Sequence, residues 1–199
     1  MKKHFLSVAM AFFAITSVTA QDLELGISAG VDAARLTIAG ATGGPLKFKS
    51  DLAGGINFEA GISKDFAVQI EAIYSRQGTA IIAADGSTAG TYNMDYLAIP
   101  VVVKFYGAQR FNFFAGPQLG ILLSGKAKTS TGPEEDIKEQ FISTSFYAMF
   151  GTEYKFANGL FVNARYNLGL NNVVDKDMNP DQDFRHRYFS FRLGYAFKL

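Results

Sequence analysis

From Leu23 onward, apolar and polar residues alternate with a period of two. In the first segment Leu23, Leu25, Ile27, Ala29, Val31 and Ala33 stand against Glu24, Gly26, Ser28, Gly30 and Asp32, the pattern of a strand that is apolar on one face. The same pattern returns over residues 55–62, 66–75, 92–105, 111–124, 145–156, 160–169 and 188–199. Eight strands of roughly 9 to 14 residues are predicted, the number and length of a small membrane barrel. Pro100, near the middle of the fourth, is the one residue that argues against an inner strand position there. The connections alternate too. Residues 63–65, 106–110 and 157–159 are tight turns, whereas 35–50, 77–91, 125–142 and 171–186 are long and polar. That arrangement predicts an all-β, eight-stranded, antiparallel up-and-down transmembrane β-barrel with both termini on the periplasmic side and four long loops outside.

A water-soluble barrel of this size would put the apolar set inside, and a membrane barrel reverses it. The glycines argue for the reversal. Gly26, Gly30, Gly55, Gly61, Gly116, Gly120, Gly151, Gly169 and Gly194 all fall in the polar set together with the charges, as a narrow, crowded lumen requires. The apolar set carries no charge through the strand centres, and its aromatic residues gather at strand ends, where interfacial girdles would lie.

Composition narrows the chemistry. The 199 residues contain no Cys and no Trp, so disulfides, thiol catalysis and Cys-bound metal are excluded. With 19 basic and 18 acidic residues, nothing in the charge balance calls for nucleic acid as a partner. Lys2 and Lys3, the apolar stretch from Phe5 to Ile15 and the small residues before Gln21 have the form of a secretory leader cut after Ala20. Residues 1–20 are then the signal peptide and 21–199 a single barrel domain. Because no Cys follows the apolar stretch, lipoprotein processing is excluded.

Three stretches carry a family likeness. The decapeptide from Tyr96 to Phe105 (YLAIPVVVKF), the run Phe114 to Gly120 (FAGPQLG) and the run Ala164 to Asn172 (ARYNLGLNN) together resemble the PorT-like outer-membrane β-barrel family common in Bacteroidetes. The resemblance implies a Gram-negative outer-membrane location and a small barrel of the OmpA/OmpX kind. It implies no task, and Ala98 stands where that family's pattern has a lumenal Glu. At the C-terminus Arg192, Gly194, Phe197 and Leu199 resemble the signal read by the barrel-assembly machinery.

Candidate chemistry sits mainly on the lumen face. Glu24, Glu59, Glu71, Lys104, Glu153, Arg165 and Arg192 share that phase, and eight strands leave an interior just wide enough for side chains to fill. The expected result is a network of opposite charges plugging the barrel; the alternative is a narrow gated channel that opens when a pair breaks. Asp175, Asp177, Asn179 and Asp181 have the alternate-residue spacing that begins a calcium loop, although Pro180 replaces the turn Gly and His186 the closing Glu. His186 is expected at an exposed rim between Arg185 and Arg187, where the arginines would meet lipid phosphates. It lacks a Ser partner, so the chain reads as non-enzymatic and free of cofactors. Residues 134–141 suggest a short helical turn. Partners are expected to be outer-membrane lipid, the assembly machinery during biogenesis and a protein at the loops, with a monomeric barrel acting in a structural or surface-interaction role; a further alternative is an accessory subunit of a secretion or envelope complex.

Overall fold

Alternation alone makes strands that are wet on one face. What makes them a barrel is that every edge finds a partner. The computed structural model describes residues 22–38, 46–83, 85–129, 132–173 and 184–199. Its strands are β1 (Leu23–Ile38), β2 (Leu46–Gly61), β3 (Phe66–Ile82), β4 (Thr88–Ala108), β5 (Phe111–Thr129), β6 (Glu134–Asp136), β7 (Thr144–Lys155), β8 (Leu160–Gly169) and β9 (Phe184–Lys198). Excluding β6, each long strand pairs antiparallel with the next. β9 returns to β1, which closes an eight-strand ring. The closing seam sets Leu25 opposite Phe197 and Val31 opposite Phe191, and the Leu199 amide donates to the Leu23 carbonyl at 2.9 Å.

Burial is inverted relative to a soluble domain. Ile27, Ile56, Phe113, Phe150, Phe191 and Leu193 are each more than half exposed, whereas Lys104 and Asn112 inside the ring are 1% and 0% exposed. Only hydrocarbon outside makes that distribution favourable, because large apolar groups facing water would cost about 1.5–3 kcal/mol each. At the end bearing the short turns, Phe66–Phe105, Phe111–Phe113, Tyr154–Phe156 and Tyr195–Phe197 pair with ring centroids 4.7 to 5.2 Å apart. Tyr74, Phe146 and Phe189 are exposed toward the other end. These two belts mark the interfaces.

The strands overrun the pattern that predicted them. β4 reaches back to Thr88 and β5 runs on to Thr129, so much of the expected loops 77–91 and 125–142 is sheet. The β3–β4 connection shrinks to residues 83–87, where Asp85 accepts from the Ser87 amide at 2.9 Å and Gly86 takes a φ of 83°. Over residues 78–83 and 88–91 the sequence does not alternate strictly, while the hydrogen-bond ladder between β3 and β4 continues. Residues 134–141 likewise form not a helical turn alone but β6, paired to β5, followed by a single 3-10 turn, Lys138–Gln140. The leader 1–20 and the candidate calcium ligands Asp175, Asp177, Asn179 and Asp181 lie outside the described residues.

Narrowness is written into two inward glycines. A Cβ on Gly30 would strike the Phe191 carbonyl of β9, and one on Gly116 the Val101 carbonyl of β4, both backbone atoms that cannot rotate away. We expect Gly116→Ala to destabilise the barrel by about 1–3 kcal/mol, as overpacking does. Gly107→Ala, whose added carbon meets only the Phe105 ring at 3.6 Å, should leave stability within about 0.5 kcal/mol. Urea-unfolding midpoints of protein refolded in lipid vesicles check both.

Candidate functional site

Alternate residues of every long strand point into the ring, and their order along each strand sorts them into layers. Nearest the short turns, Lys155 at the end of β7 meets Glu24 of β1 at 2.5 Å and Glu59 of β2 at 3.3 Å. Tyr106 donates to Glu59 at 2.5 Å. One layer deeper, Lys104 of β4 bridges Glu59 and Glu153, 2.7 Å from each, and Asn112 and Asn163 donate to the Glu153 carboxylate at 3.2 and 3.3 Å. Arg165 of β8 then pairs with Glu71 of β3 at 2.9 Å and lies 5.3 Å over the Phe114 ring. Gln69 donates to the other Glu71 oxygen at 2.7 Å.

The next layer belongs to β1, β3 and β9. Arg192 pairs with Asp32 at 2.8 Å, Ser75 donates to Asp32 at 2.5 Å, and Gln77 donates to Ser75 at 3.2 Å. His186 Nδ1 stands 2.7 Å from Gln77 Oε1, so Nδ1 is the donor in that contact; among the described residues Nε2 has no hydrogen-bond partner. Above it the lining turns aromatic and apolar. Tyr147 and Tyr188 meet edge to face, with Gln118 donating to the Tyr188 hydroxyl at 2.6 Å. Met94, Tyr96, Leu122 and Val173 form a buried cluster against which Tyr92 and Phe141 pack. Val173 and Phe141 come from the two connections that precede β9 and β7. The Ile142 amide donates to the Val173 carbonyl at 2.9 Å, which ties those connections together across the mouth. Further out, at the β5–β6 hairpin, Lys126 meets Glu134 at 2.6 Å, and its hydrogen bond and charge hold the Glu134 carboxyl below its ordinary range.

All seven lumen residues picked from the sequence thus face the interior, and each is ion-paired. Asp32, Lys155 and Tyr106 belong to the same network but escaped selection. Their phase was right, and a partner across the barrel cannot be read from phase. Among the described residues, the five carboxylates of Glu24, Asp32, Glu59, Glu71 and Glu153 share four cations; Tyr106, Gln69, Asn112 and Asn163 supply neutral donors. His186 is a correction. It is 3% exposed inside the lumen instead of standing at a rim, because β9 starts at Phe184 and carries its inward phase through 186, 188 and 190. Arg185 and Arg187 are exposed on the outer face. Of the C-terminal signal, Arg192 and Gly194 point inward, while Phe197 and Leu199 are exposed.

From the turn end a vestibule of about 340 Å³, bordered by Glu24, Glu59, Tyr106, Arg110, Lys155 and Lys198, leads to the Lys104 layer. A closed ring of eight antiparallel strands, apolar outside and charged inside, is a small outer-membrane β-barrel protein. The chain belongs to the outer membrane protein beta-barrel domain family, which it matches over residues 19–175. No curated protein matches it in sequence. Among solved structures, it is similar to Ail, the attachment invasion locus protein of Yersinia pestis, in complex with the heparin analogue sucrose octasulfate. The two are 17% identical over 88% of this chain and 99% of that one, with a TM-score of 0.56. Neisserial surface protein A is likewise similar, at 11% identity over 87% of this chain and 97% of the other, with a TM-score of 0.59. Both likenesses establish the fold.

Lys104 is the hub of the network, so its removal is the informative change. Lys104→Met leaves Glu59 and Glu153 to share a buried space without their bridging cation, a loss of about 3–5 kcal/mol. Adding Glu153→Gln should recover part of it by removing the uncompensated charge. Unfolding midpoints of the single and double variants in micelles measure both steps.

Proposed function

We propose that this chain is a non-conducting, non-enzymatic outer-membrane barrel of the PorT-like kind, exported by the leader 1–20. It is inserted with both termini in the periplasm and works at the cell surface through the sheet and connections beyond the loop-end belt. The observation that carries this reading is the double closure of the lumen: paired charges fill it toward the turns, and the Met94–Tyr96–Leu122–Val173 cluster seals it toward the loops. Among the described residues an apolar cluster and a bridged Lys104 stand across the interior, which supports the closed reading. The strands support the surface role. A crossing needs about 9–11 residues, and β4 has 21, so about half of it stands beyond the membrane as paired sheet. Such a projection is held by backbone hydrogen bonds, which makes it a firm platform for a protein partner. The C-terminal residues Arg192, Gly194, Phe197 and Leu199 are read as the assembly signal, and the barrel as a monomer.

A gated conduit is the second reading, favoured by the vestibule and by the succession of polar layers between Lys155 and His186. Planar-bilayer recordings separate the two. The closed reading expects no stable openings from refolded protein and none from Glu59→Ala or Arg165→Ala; stepwise currents altered by those substitutions would establish the conduit. Orientation is checked in a chain that has no Cys of its own. On intact cells an impermeant maleimide should label Ser87→Cys in the β3–β4 connection and spare Lys64→Cys in the β2–β3 turn. The opposite pattern would place the termini outside.

A further inference from the structure

The outer wall is not uniformly filled. Strand register places Thr152 of β7 between Phe113 of β5 and Ala164 of β8, and Ala164 beside Phe191 of β9. Ala115 sits next to Phe150. Where the neighbouring outward positions carry rings, Ala115, Thr152 and Ala164 carry little, and the result is a groove of about 720 Å³ on the membrane-facing surface. Phe150, Tyr166 and Phe189 stack along its loop-end side, with centroids 5.4 and 4.7 Å apart. The Thr152 hydroxyl is already committed to the Asn112 carbonyl at 3.0 Å, so the floor of the groove presents apolar surface suited to hydrocarbon.

A cation stands beside this groove. Arg187 is the next outward residue after Phe189, about 7 Å nearer the loop end at strand spacing, and it is exposed. No ion pair joins it among the described residues. On the opposite wall the corresponding outward cation, Arg76, is neutralised by Asp95 at 2.8 Å. Positive charge at the level of the interface, with an apolar trough just below it on the same face, is complementary to one kind of molecule: an amphiphile with a phosphate head and an acyl tail. The guanidinium suits the phosphate because its planar fork donates two parallel hydrogen bonds.

We propose that the β5–β7–β8–β9 face holds one phosphorylated, acylated lipid of the outer leaflet, an acyl chain lying in the Ala115–Thr152–Ala164 groove and a phosphate on Arg187. The outer-leaflet assignment rests on the orientation given under Proposed function. Binding orders one chain against aromatic walls and would make this face a fixed point for the surrounding lipid.

Native mass spectrometry of the refolded full-length mature protein, titrated with bisphosphorylated hexa-acyl lipid A, tests the site. The comparison lipids are dephosphorylated lipid A and phosphatidylethanolamine, and the variants are Arg187→Gln and the groove-filling pair Ala115→Leu with Ala164→Phe. Both sets of substitutions face lipid, and heat-modifiable gel mobility verifies that each variant is folded. One lipid A should be retained per barrel, at least tenfold more weakly in each variant, and dephosphorylated lipid A on the wild type should match bisphosphorylated lipid A on Arg187→Gln. Retention that is unchanged in either variant, that is equalled by phosphatidylethanolamine, or that is replaced by a dimer mass would overturn the site. Outward labelling of Ser87→Cys with no lipid retention rejects the docking site and keeps the orientation, whereas labelling of that position only in lysed cells rejects the orientation and the outer-leaflet assignment with it.

Discussion

Hydrocarbon offers no hydrogen bonds, and the pairing of β1 with β9 is where this chain satisfies that constraint. Each backbone amide left unpaired in the bilayer costs several kcal/mol, so an open eight-stranded sheet could not remain there. Closure sets the interior width, and the width governs both the backbone spacing and the lining of the lumen. Gly30 and Gly116 face neighbouring carbonyls too closely for any side chain. The inward Lys, Arg and carboxylate residues are close enough to meet across the lumen, which strands of a larger barrel would hold apart around water.

The charge network is a consequence of this geometry before it is a device. Nine ionisable side chains of Glu24, Asp32, Glu59, Glu71, Glu153, Lys104, Lys155, Arg165 and Arg192 share the interior, and each pair joins different strands. Glu59 of β2, Lys104 of β4 and Glu153 of β7 are linked in one bridge, and Asp32 of β1 is tied to Arg192 of β9 across the seam itself. Such pairs add little net stability over a well-packed apolar filling, because desolvating the ions offsets most of their attraction. Their effect is to penalise every alternative register. A strand that slipped by one residue would put its buried charges into lipid and its leucines into the lumen.

The two ends of the barrel differ physically. At the turn end the lumen stays polar and partly open, bordered by Glu24, Glu59 and Lys155, and chain crossings are short. At the loop end the lining becomes aromatic, and the connections before β7 and β9 are drawn over it by Phe141 and Val173. Outside, the same end carries Arg187 above the Phe150–Tyr166–Phe189 stack and the paired sheet of β3, β4 and β5. Occlusion, projection and exposed cationic rim all fall at one end, which is why the functional reading concentrates there.

Strand number, inside-out polarity, tight turns and the lumen-facing charges were legible in the sequence, because period-two alternation is a local property and each bilayer crossing imposes it. Residues such as Glu71 and Arg165 declared their face by phase alone. Other features lay beyond local pattern. The extension of β4 back to Thr88 was hidden because strict alternation lapses there while the backbone ladder continues, and the inward position of His186 depended on where β9 begins. The partnership of Asp32 with Arg192, and of Lys155 with Glu24, joins residues far apart in the chain. So does the groove over Thr152 and Ala164, which exists only because four strands set small side chains side by side. Local alternation tells each side chain which solvent it meets; only the closed ring decides which neighbour it meets, since that choice is set by register and curvature shared among all eight strands.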